Sequence, residues 1–319
     1  MKTRKIGNRE VSEIGFGCMG MSHAAGTPLS IEEGAEILRA AVDSGYTYFD
    51  TAKNYGYKDD RYHNEKILGT AFEGIRDKVF IATKTGVEFD YDTDPDVPPL
   101  VYDSSRESIR QSVEASLQRL RTDHIDLYFQ ARIDPETEPE EVAQTMAELI
   151  KEGKILSWGI SEMPEEYLRR AHAVCPVAAV ENNYSIINRA HEDIVPFLEE
   201  NNIAWIAQGT LVKGLLTNAY KKGTAFARSD WRSRMINDDN LDRYAPLLEY
   251  LQTLAEEKHA TPGQVSLAWV LSRKPYIIPI PGTTKKERLK ENAKAADVHI
   301  TEEEMKMIDK IMESIYNRS

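Results

Sequence analysis

Short apolar, β-branched runs alternate with longer amphipathic stretches along this chain. The runs are VSEIGFG, YTYFD, KVFIATK, IDLYFQ, ILSWGI, VAAVEN, IAWIAQG and YIIPIPG. Most lack polar alternation, as strands buried on both faces do. Between them, apolar positions recur at helical spacing in IEEGAEILRAAVDSG, SRESIRQSVEASLQRL, EPEEVAQTMAELIKEG, PEEYLRRAHAV and HEDIVPFLEENN. The same period continues in NLDRYAPLLEYLQTLAEEKHA, TPGQVSLAWVLSR and KKERLKENAKAA, and a last helix, EEEMKMIDKIMESI, closes the chain. Strand–helix alternation predicts a parallel sheet. Eight such units over 319 residues fit a (β/α)8 barrel better than an open doubly wound sheet. The opening TRKIGNREV reads as a β-hairpin ahead of the first barrel strand. Gly45 and Gly153 fall where helix C-caps belong. Two long irregular stretches, 85–104 and 212–240, follow strands, so a barrel places both on its C-terminal face, where active sites form.

Composition narrows the class. A hydrophobic content of 41% supports one large core, and a single domain over residues 1–319 is expected. The formal net charge of −12 and the lack of a dense Lys/Arg run argue against nucleic acid or an anionic membrane as partner. No stretch approaches the ~18 apolar residues of a membrane span. The start, MKTRKIGNREV, lacks the apolar core of a signal peptide. Cys18 and Cys175 show no CxxC spacing. A cytoplasmic location follows as the expectation.

Three motifs carry less than they promise. Gly15, Gly17 and Gly20 in GFGCMG have the spacing of a dinucleotide phosphate loop. That motif must turn directly into a helix, and here SHAAGTPLS intervenes, so a glycine-rich strand end with close backbone approach is preferred. Asp90, Asp92, Asp94 and Asp96 suggest a calcium loop, but Pro95 and Val101 replace its obligatory Gly and Glu. The seven His residues show no zinc spacing and are expected mostly at the surface or on helix faces. No metal site is expected.

Asp50, Tyr55 and Lys84 are more specific. Asp50 and Lys84 each end an apolar strand, and Tyr55 follows Asp50 in FDTAKNYG. Charged groups at the C-terminal ends of barrel strands point into a shared mouth. An unaided phenol titrates near pH ~10 and is a poor acid at neutrality. A lysine beside it makes its proton labile, and an aspartate holds the lysine. A structural Asp–Lys pair with a packed Tyr is the other reading of these residues.

Together the segments GFGCMGM, FDTAKNYG, IATKTG, SVEASLQRLRTDHIDLYFQ, KEGKILSWGISE, VENNYS and PIPGTTKKERLKEN resemble the aldo-keto reductases, in order and over nearly the whole chain. The resemblance implies NADPH-dependent reduction of a small carbonyl substrate in a (β/α)8 barrel. By position, Tyr55 would protonate the carbonyl oxygen, Lys84 lower its pKa and Asp50 pair with Lys84. Gly282, Thr283 and Arg288 match the site for the adenosine 2′-phosphate, where backbone N–H groups and a planar guanidinium suit the anion. Glu291 and Asn292 match adenine-side residues. Ser161 and Glu181 match residues that hold the nicotinamide carboxamide, and Leu211, Lys213 and Gly214 the loop over the pyrophosphate.

Departures from the family pattern cluster at the mouth. Ala131 stands where the family usually has the His that orients the carbonyl. Gln208 stands where an aromatic ring often stacks on nicotinamide. Gly209 and Thr210 replace a common Ser-Pro, Lys53 a usual Glu, and Glu181 a frequent Gln. These changes suggest an impaired reductase, or an NADPH-binding barrel repurposed by descent or design with little turnover. A third reading is a Schiff-base enzyme using Lys84, Lys53 or Lys213, although Asp50 would oppose it by raising the Lys84 pKa. Tyr57, Tyr62, Phe89, Tyr102 and Trp231 are candidate pocket-wall aromatics.

Overall fold

The computed structural model describes residues 1–94 and 96–317. Pro95, used above against a calcium loop, lies outside them. Strands β1 (Thr3–Ile6) and β2 (Arg9–Ser12) form the expected antiparallel hairpin, with Gly7 at φ 55° in its turn. The hairpin closes one end of a barrel. Ile6 and Val11 pack with Tyr48, Phe80, Leu127, Ala179, Ile206 and Ile278 inside it. Arg4 ties the hairpin down, donating to the carbonyls of Leu271 (2.7 Å) and Lys274 (2.7 Å).

The barrel strands begin with β3 (Phe16–Gly17), β4 (Tyr48–Asp50) and β5 (Phe80–Thr85). After an antiparallel ribbon, β6 (Val87–Phe89) with β7 (Leu100–Tyr102), come β8 (Leu127–Gln130) and β9 (Trp158–Ser161). Strands β10 (Ala179–Asn183), β11 (Ala204–Gln208) and β12 (Ile277–Pro279) complete the set. These eight run in sequential order, each parallel to the next. The ring closes where the Gly15 N–H donates to the Pro279 carbonyl at 2.9 Å. A Cβ at Gly17 would lie 2.6 Å from the Ile280 carbonyl oxygen, so the seam needs glycine there. This is the close approach expected of Gly15 and Gly17; around Gly20 the space is open to 3.8 Å.

The helices outside are α1 (Ile31–Asp43), α2 (His63–Ala71), α3 (Arg106–Leu120), α4 (Pro139–Lys151), α5 (Glu165–Val174) and α6 (Val195–Asn201). Then follow α7 (Asp238–Arg243), α8 (Ala245–Glu257), α9 (Pro262–Arg273), α10 (Lys286–Ala293) and the extra C-terminal helix α11 (Glu302–Tyr316). Ser30 caps α1 in a full capping box, and Gly45 and Gly153 follow their helices at φ 90° and 75°. Three expectations change. VSEIGFG divides between the hairpin and a two-residue barrel strand. The stretch 85–104 contains the β6–β7 ribbon, and 212–240 is broken by short 3₁₀ turns and the start of α7. Helix α2 was not foreseen.

Strand parity decides what reaches the mouth. Tyr48, Phe80, Ala82, Leu127, Phe129, Ala179, Ala204 and Ile206 face the barrel interior. Two residues onward on the same faces lie Asp50, Lys84, Ala131, Glu181 and Gln208. Five charged or polar residues and Ala131 thus converge at one rim, with Ser161 opposite Glu181 in register.

Candidate active site

Lys84 is 3% exposed and Asp50 2%. Lys84 Nζ donates to Asp50 Oδ1 at 2.5 Å and to the Thr51 carbonyl at 3.0 Å. It also lies 3.1 Å from Glu181 Oε2, which has no aligned hydrogen-bond partner among the described residues. Two carboxylates thus share one ammonium in a buried place. The Tyr55 ring sits above, its centroid 5.6 Å from Lys84 Nζ.

The loop carrying Tyr55 is fixed by the unforeseen α2. Its Asn64 backbone N–H donates to the Tyr55 carbonyl (3.0 Å), as does Ser22 Oγ (2.8 Å). The Asn64 amide in turn donates to Ser22 Oγ (2.6 Å) and to the Cys18 carbonyl (3.0 Å) and accepts from Thr51 Oγ1 (2.7 Å). Asn64 is wholly buried, so this polar network is satisfied by protein alone.

Burial raises the Tyr55 phenol above its ordinary value; the Lys84 ammonium opposes that rise, and Asp50 and Glu181 add to it. The expected acidifying lysine is present, but burial outweighs it. Lys84 is held above its usual range: desolvation acts against the charge, and the two carboxylates overcome it. This disfavours Lys84 as an amine nucleophile. Lys53 is likewise committed, to Glu88 (2.7 Å) and Ser112 Oγ (2.8 Å). Lys213 is lowered by desolvation and by Arg234, and its ammonium stands 5.5 Å from the Trp231 ring. Glu181 is pushed well up by burial and then by Asp50, with Lys84 opposing. A protonated Glu181 offers one donor and one acceptor, as a glutamine would.

Ala131 directly follows β8 at the rim, its N–H donating to the Thr85 carbonyl at 2.9 Å. The next residue, Arg132, folds back to the Ala131 carbonyl (2.8 Å) and acts electrostatically on both Tyr55 and Glu162. Gln208 Nε2 donates to Glu162 Oε1 at 2.7 Å, and Glu162 also accepts from the Asn183 N–H at 2.8 Å. Glu162, at φ 57°, therefore anchors Gln208 sideways. Neither Arg132 nor Glu162 was singled out from the sequence.

The positions expected around a dinucleotide form an arc. Ser161 is buried beside Glu181. After β11, Val212, Lys213 and Gly214 take φ of 50°, 58° and 102°, a run of left-handed residues beyond Leu211 that turns the chain sharply at the rim. Gly282 packs on the Gly17 backbone, and Thr283 Oγ1 accepts from the Lys285 N–H at 3.1 Å. Helix α10 begins at Lys286, later than Gly282–Thr283, and Lys285 provides no side-chain cap. Arg288 is exposed, with no ion pair among the described residues. Asn292 is buried, whereas Glu291 is already committed, its carboxylate accepting from Thr261 Oγ1 at 2.9 Å. The uncapped start of α10 leaves backbone N–H donors, and the unpaired Arg288 adds a guanidinium, a combination that suits a phosphate group.

Of the candidate aromatics, Phe89 and Trp231 lie near Tyr55, both packed on His23. Tyr57 packs on His63, Tyr62 lies under Arg119, and Tyr102 is exposed on the ribbon. His23 and His63 are themselves buried, His63 at the start of α2, while the other histidines are partly or fully exposed. His23 stacks on Tyr55 with centroids 5.8 Å apart and planes at 11°. A lone His in a loop has no periodic signal; its place just past a barrel strand was the available clue. Among the described residues there is no cluster suited to a metal ion.

The profile of the Aldo/keto reductase family matches residues 13–313. An aldo-keto reductase of Strobilurus tenacellus, str7, is 36% identical over 98% of this chain and 92% of its own. The aldo-keto reductase yakc [NADP(+)] of Schizosaccharomyces pombe is 36% identical over 96% and 90%. A solved glycerol dehydrogenase from Gluconobacter oxydans superposes with TM-score 0.87 at 28% identity, covering 97% of this chain and 94% of that one.

Proposed function

This chain belongs to the aldo/keto reductase family and is an oxidoreductase; from that premise we propose that it reduces small aldehydes or ketones to alcohols with NADPH, at a rate lowered by its altered rim. Use of NADP by the yakc relative supports the cofactor, as does the unpaired Arg288 beside the uncapped start of α10. The observation that carries the chemistry is the buried Asp50–Lys84–Glu181 group beneath Tyr55.

When bound, NADPH supplies the hydride. Ser161 and Glu181 would hold its carboxamide, Leu211, Lys213 and Gly214 would cover its pyrophosphate, and Gly282, Thr283 and Arg288 would take the 2′-phosphate. Glu291 and Asn292 would border the adenine. Tyr55 gives its phenolic proton to the carbonyl oxygen. A developing alkoxide is a stronger base than a phenolate, so the transfer runs downhill even from a phenol raised by burial. Lys84 stabilises the phenolate left behind, and Asp50 keeps Lys84 charged and in place.

Ala131 provides no side-chain donor to the carbonyl, and Gln208, bound to Glu162, would be held from covering the nicotinamide face. An oxygen-directed donor is worth roughly 10²–10³ in rate. Residues 1–319 act as one domain in the cytoplasm, in keeping with two free, buried cysteines. No helix among the described residues is long and apolar enough to cross a membrane.

Consumption of NADPH with a panel of aldehydes and ketones tests the reading. Slow turnover that Ala131→His raises by about 10²-fold is the expected result. Tight NADPH binding without turnover, unchanged by Ala131→His, would replace it with a binding role on the same scaffold.

A further inference from the structure

The mouth contains a second buried group that the proposed reaction leaves unused. His23 follows barrel strand β3 and is 7% exposed. Its Nδ1 lies 2.8 Å from the Gly56 carbonyl oxygen. A carbonyl only accepts, so Nδ1 must carry the proton. In the neutral ring this leaves Nε2 as a bare acceptor. Nε2 is buried and has no hydrogen-bond partner among the described residues. Burial lowers the His23 pKa to about 4, the Gly56 contact opposes this and Lys213 adds to it, so the ring is neutral at ordinary pH. A buried polar atom without a partner is destabilising, and natural structures seldom keep one without a use.

Its surroundings indicate the use. One face of the ring stacks on Tyr55, Phe89 lies 4.6 Å away and the Trp231 ring 5.2 Å away, nearly perpendicular. The loop bearing Trp231 is pinned to the same segment, its N–H donating to the Ala24 carbonyl at 2.9 Å. An acceptor set in an aromatic wall beside a proton-donating phenol suits a substrate carrying its own O–H close to the carbonyl. We propose that His23 Nε2 accepts a hydrogen bond from a hydroxyl adjacent to the substrate carbonyl, so that the site selects hydroxyaldehydes and hydroxyketones over plain carbonyl compounds. This rests on the reductase reading for the reaction, but not for the binding.

Hydroxyacetone and acetone, which differ by that hydroxyl, serve as probes. With NADPH, kcat/KM should favour hydroxyacetone by about 10- to 100-fold. His23→Phe should bring the ratio close to one, and His23→Gln, which keeps an acceptor, should restore part of it. In ¹⁵N-labelled protein loaded with NADP⁺, hydroxyacetone should move the His23 Nε2 resonance upfield while acetone leaves it in place. Equal rates on the two probes, a preference that survives His23→Phe, or an unmoved Nε2 at saturation would overturn the proposal. A moving Nε2 without NADPH oxidation would instead overturn the reductase reading and leave the His23 site standing. Should His23→Phe fail to fold, the wild-type ratio and the nitrogen shift still decide.

Discussion

At the scale of single residues, the site is a problem of three buried ionisable groups and one phenol. Asp50 and Lys84 neutralise one another, and Glu181 is the excess carboxylate. Its folded pKa is raised above the ordinary 4.5, burial being the largest cause. Below the unfolded value both states hold the proton, and Glu181 has no pH-dependent effect. As pH rises above it, the unfolded chain releases the proton that the folded chain retains, and stability falls. Glu181→Gln should therefore raise Tm at pH ~8 and leave it nearly unchanged at pH ~4, as read by calorimetry. A Tm gain equal at both values would mean that Glu181 is ionised in the fold. Tyr55→Phe separates the phenol's chemistry from its packing. The ring and its stack on His23 remain, so NADPH affinity should hold while kcat falls by roughly 10²–10⁴. Asp50, Tyr55 and Lys84 were legible in the sequence because two of them end strands whose apolar runs announce them. His23 and Glu162 were not, since their positions depend on loop conformations, including a φ of 57° at Glu162.

At the scale of elements, the barrel strands were legible because each is a short apolar run bounded by turns. Helix α2 was hidden by its own composition. Its buried set includes His63, Asn64 and Glu65 beside Ile67 and Leu68, so the apolar stripe is interrupted by polar residues. Those residues are buried for hydrogen bonding: Glu65 binds Thr83 Oγ1 (2.7 Å) and Arg119 (2.6 Å), and Asn64 holds the Tyr55 loop. Hydrophobic periodicity cannot register a helix face buried for that purpose. The ring closure is the complementary case, where glycine spacing was visible and its meaning was settled by contact. Gly17→Ala would press a methyl against the Ile280 carbonyl oxygen at 2.6 Å. Overpacking of this kind destabilises by about 1–3 kcal/mol. Urea titration should show the midpoint shifted down with the m-value unchanged. Gly7→Ala, with nothing within 4 Å but a φ of +55°, should lose less, through backbone strain alone.

At the scale of the whole molecule, an acidic protein must hold a highly anionic cofactor. The net charge of −12 repels it at long range, and salt screens that repulsion beyond about 10 Å. Attraction must come from contacts at the rim, where Lys213, Lys285 and Arg288 are among the basic residues. Lys286 is partly spent on Glu36 at 3.0 Å. Fold-wide charge was readable from composition, whereas this local reversal required β11 and β12 to be neighbours, so that the segments following them reach the same end of the barrel. Comparing NADPH with NADH isolates the 2′-phosphate, because the pyrophosphate and the distant repulsion are nearly common to both. A charge-assisted contact to Arg288 is worth about 1.5–3 kcal/mol, or roughly 10- to 100-fold in Kd. Arg288→Ala should remove that preference by weakening NADPH alone. In the wild type, raising salt should erode the NADPH:NADH ratio, since the extra phosphate is held by exposed charge; in the variant the ratio should be small and nearly flat with salt. Fluorescence titration of both cofactors across ionic strength measures this. An unchanged ratio in Arg288→Ala would move the 2′-phosphate away from α10 and, with it, the reason to assign this chain to NADPH over NADH.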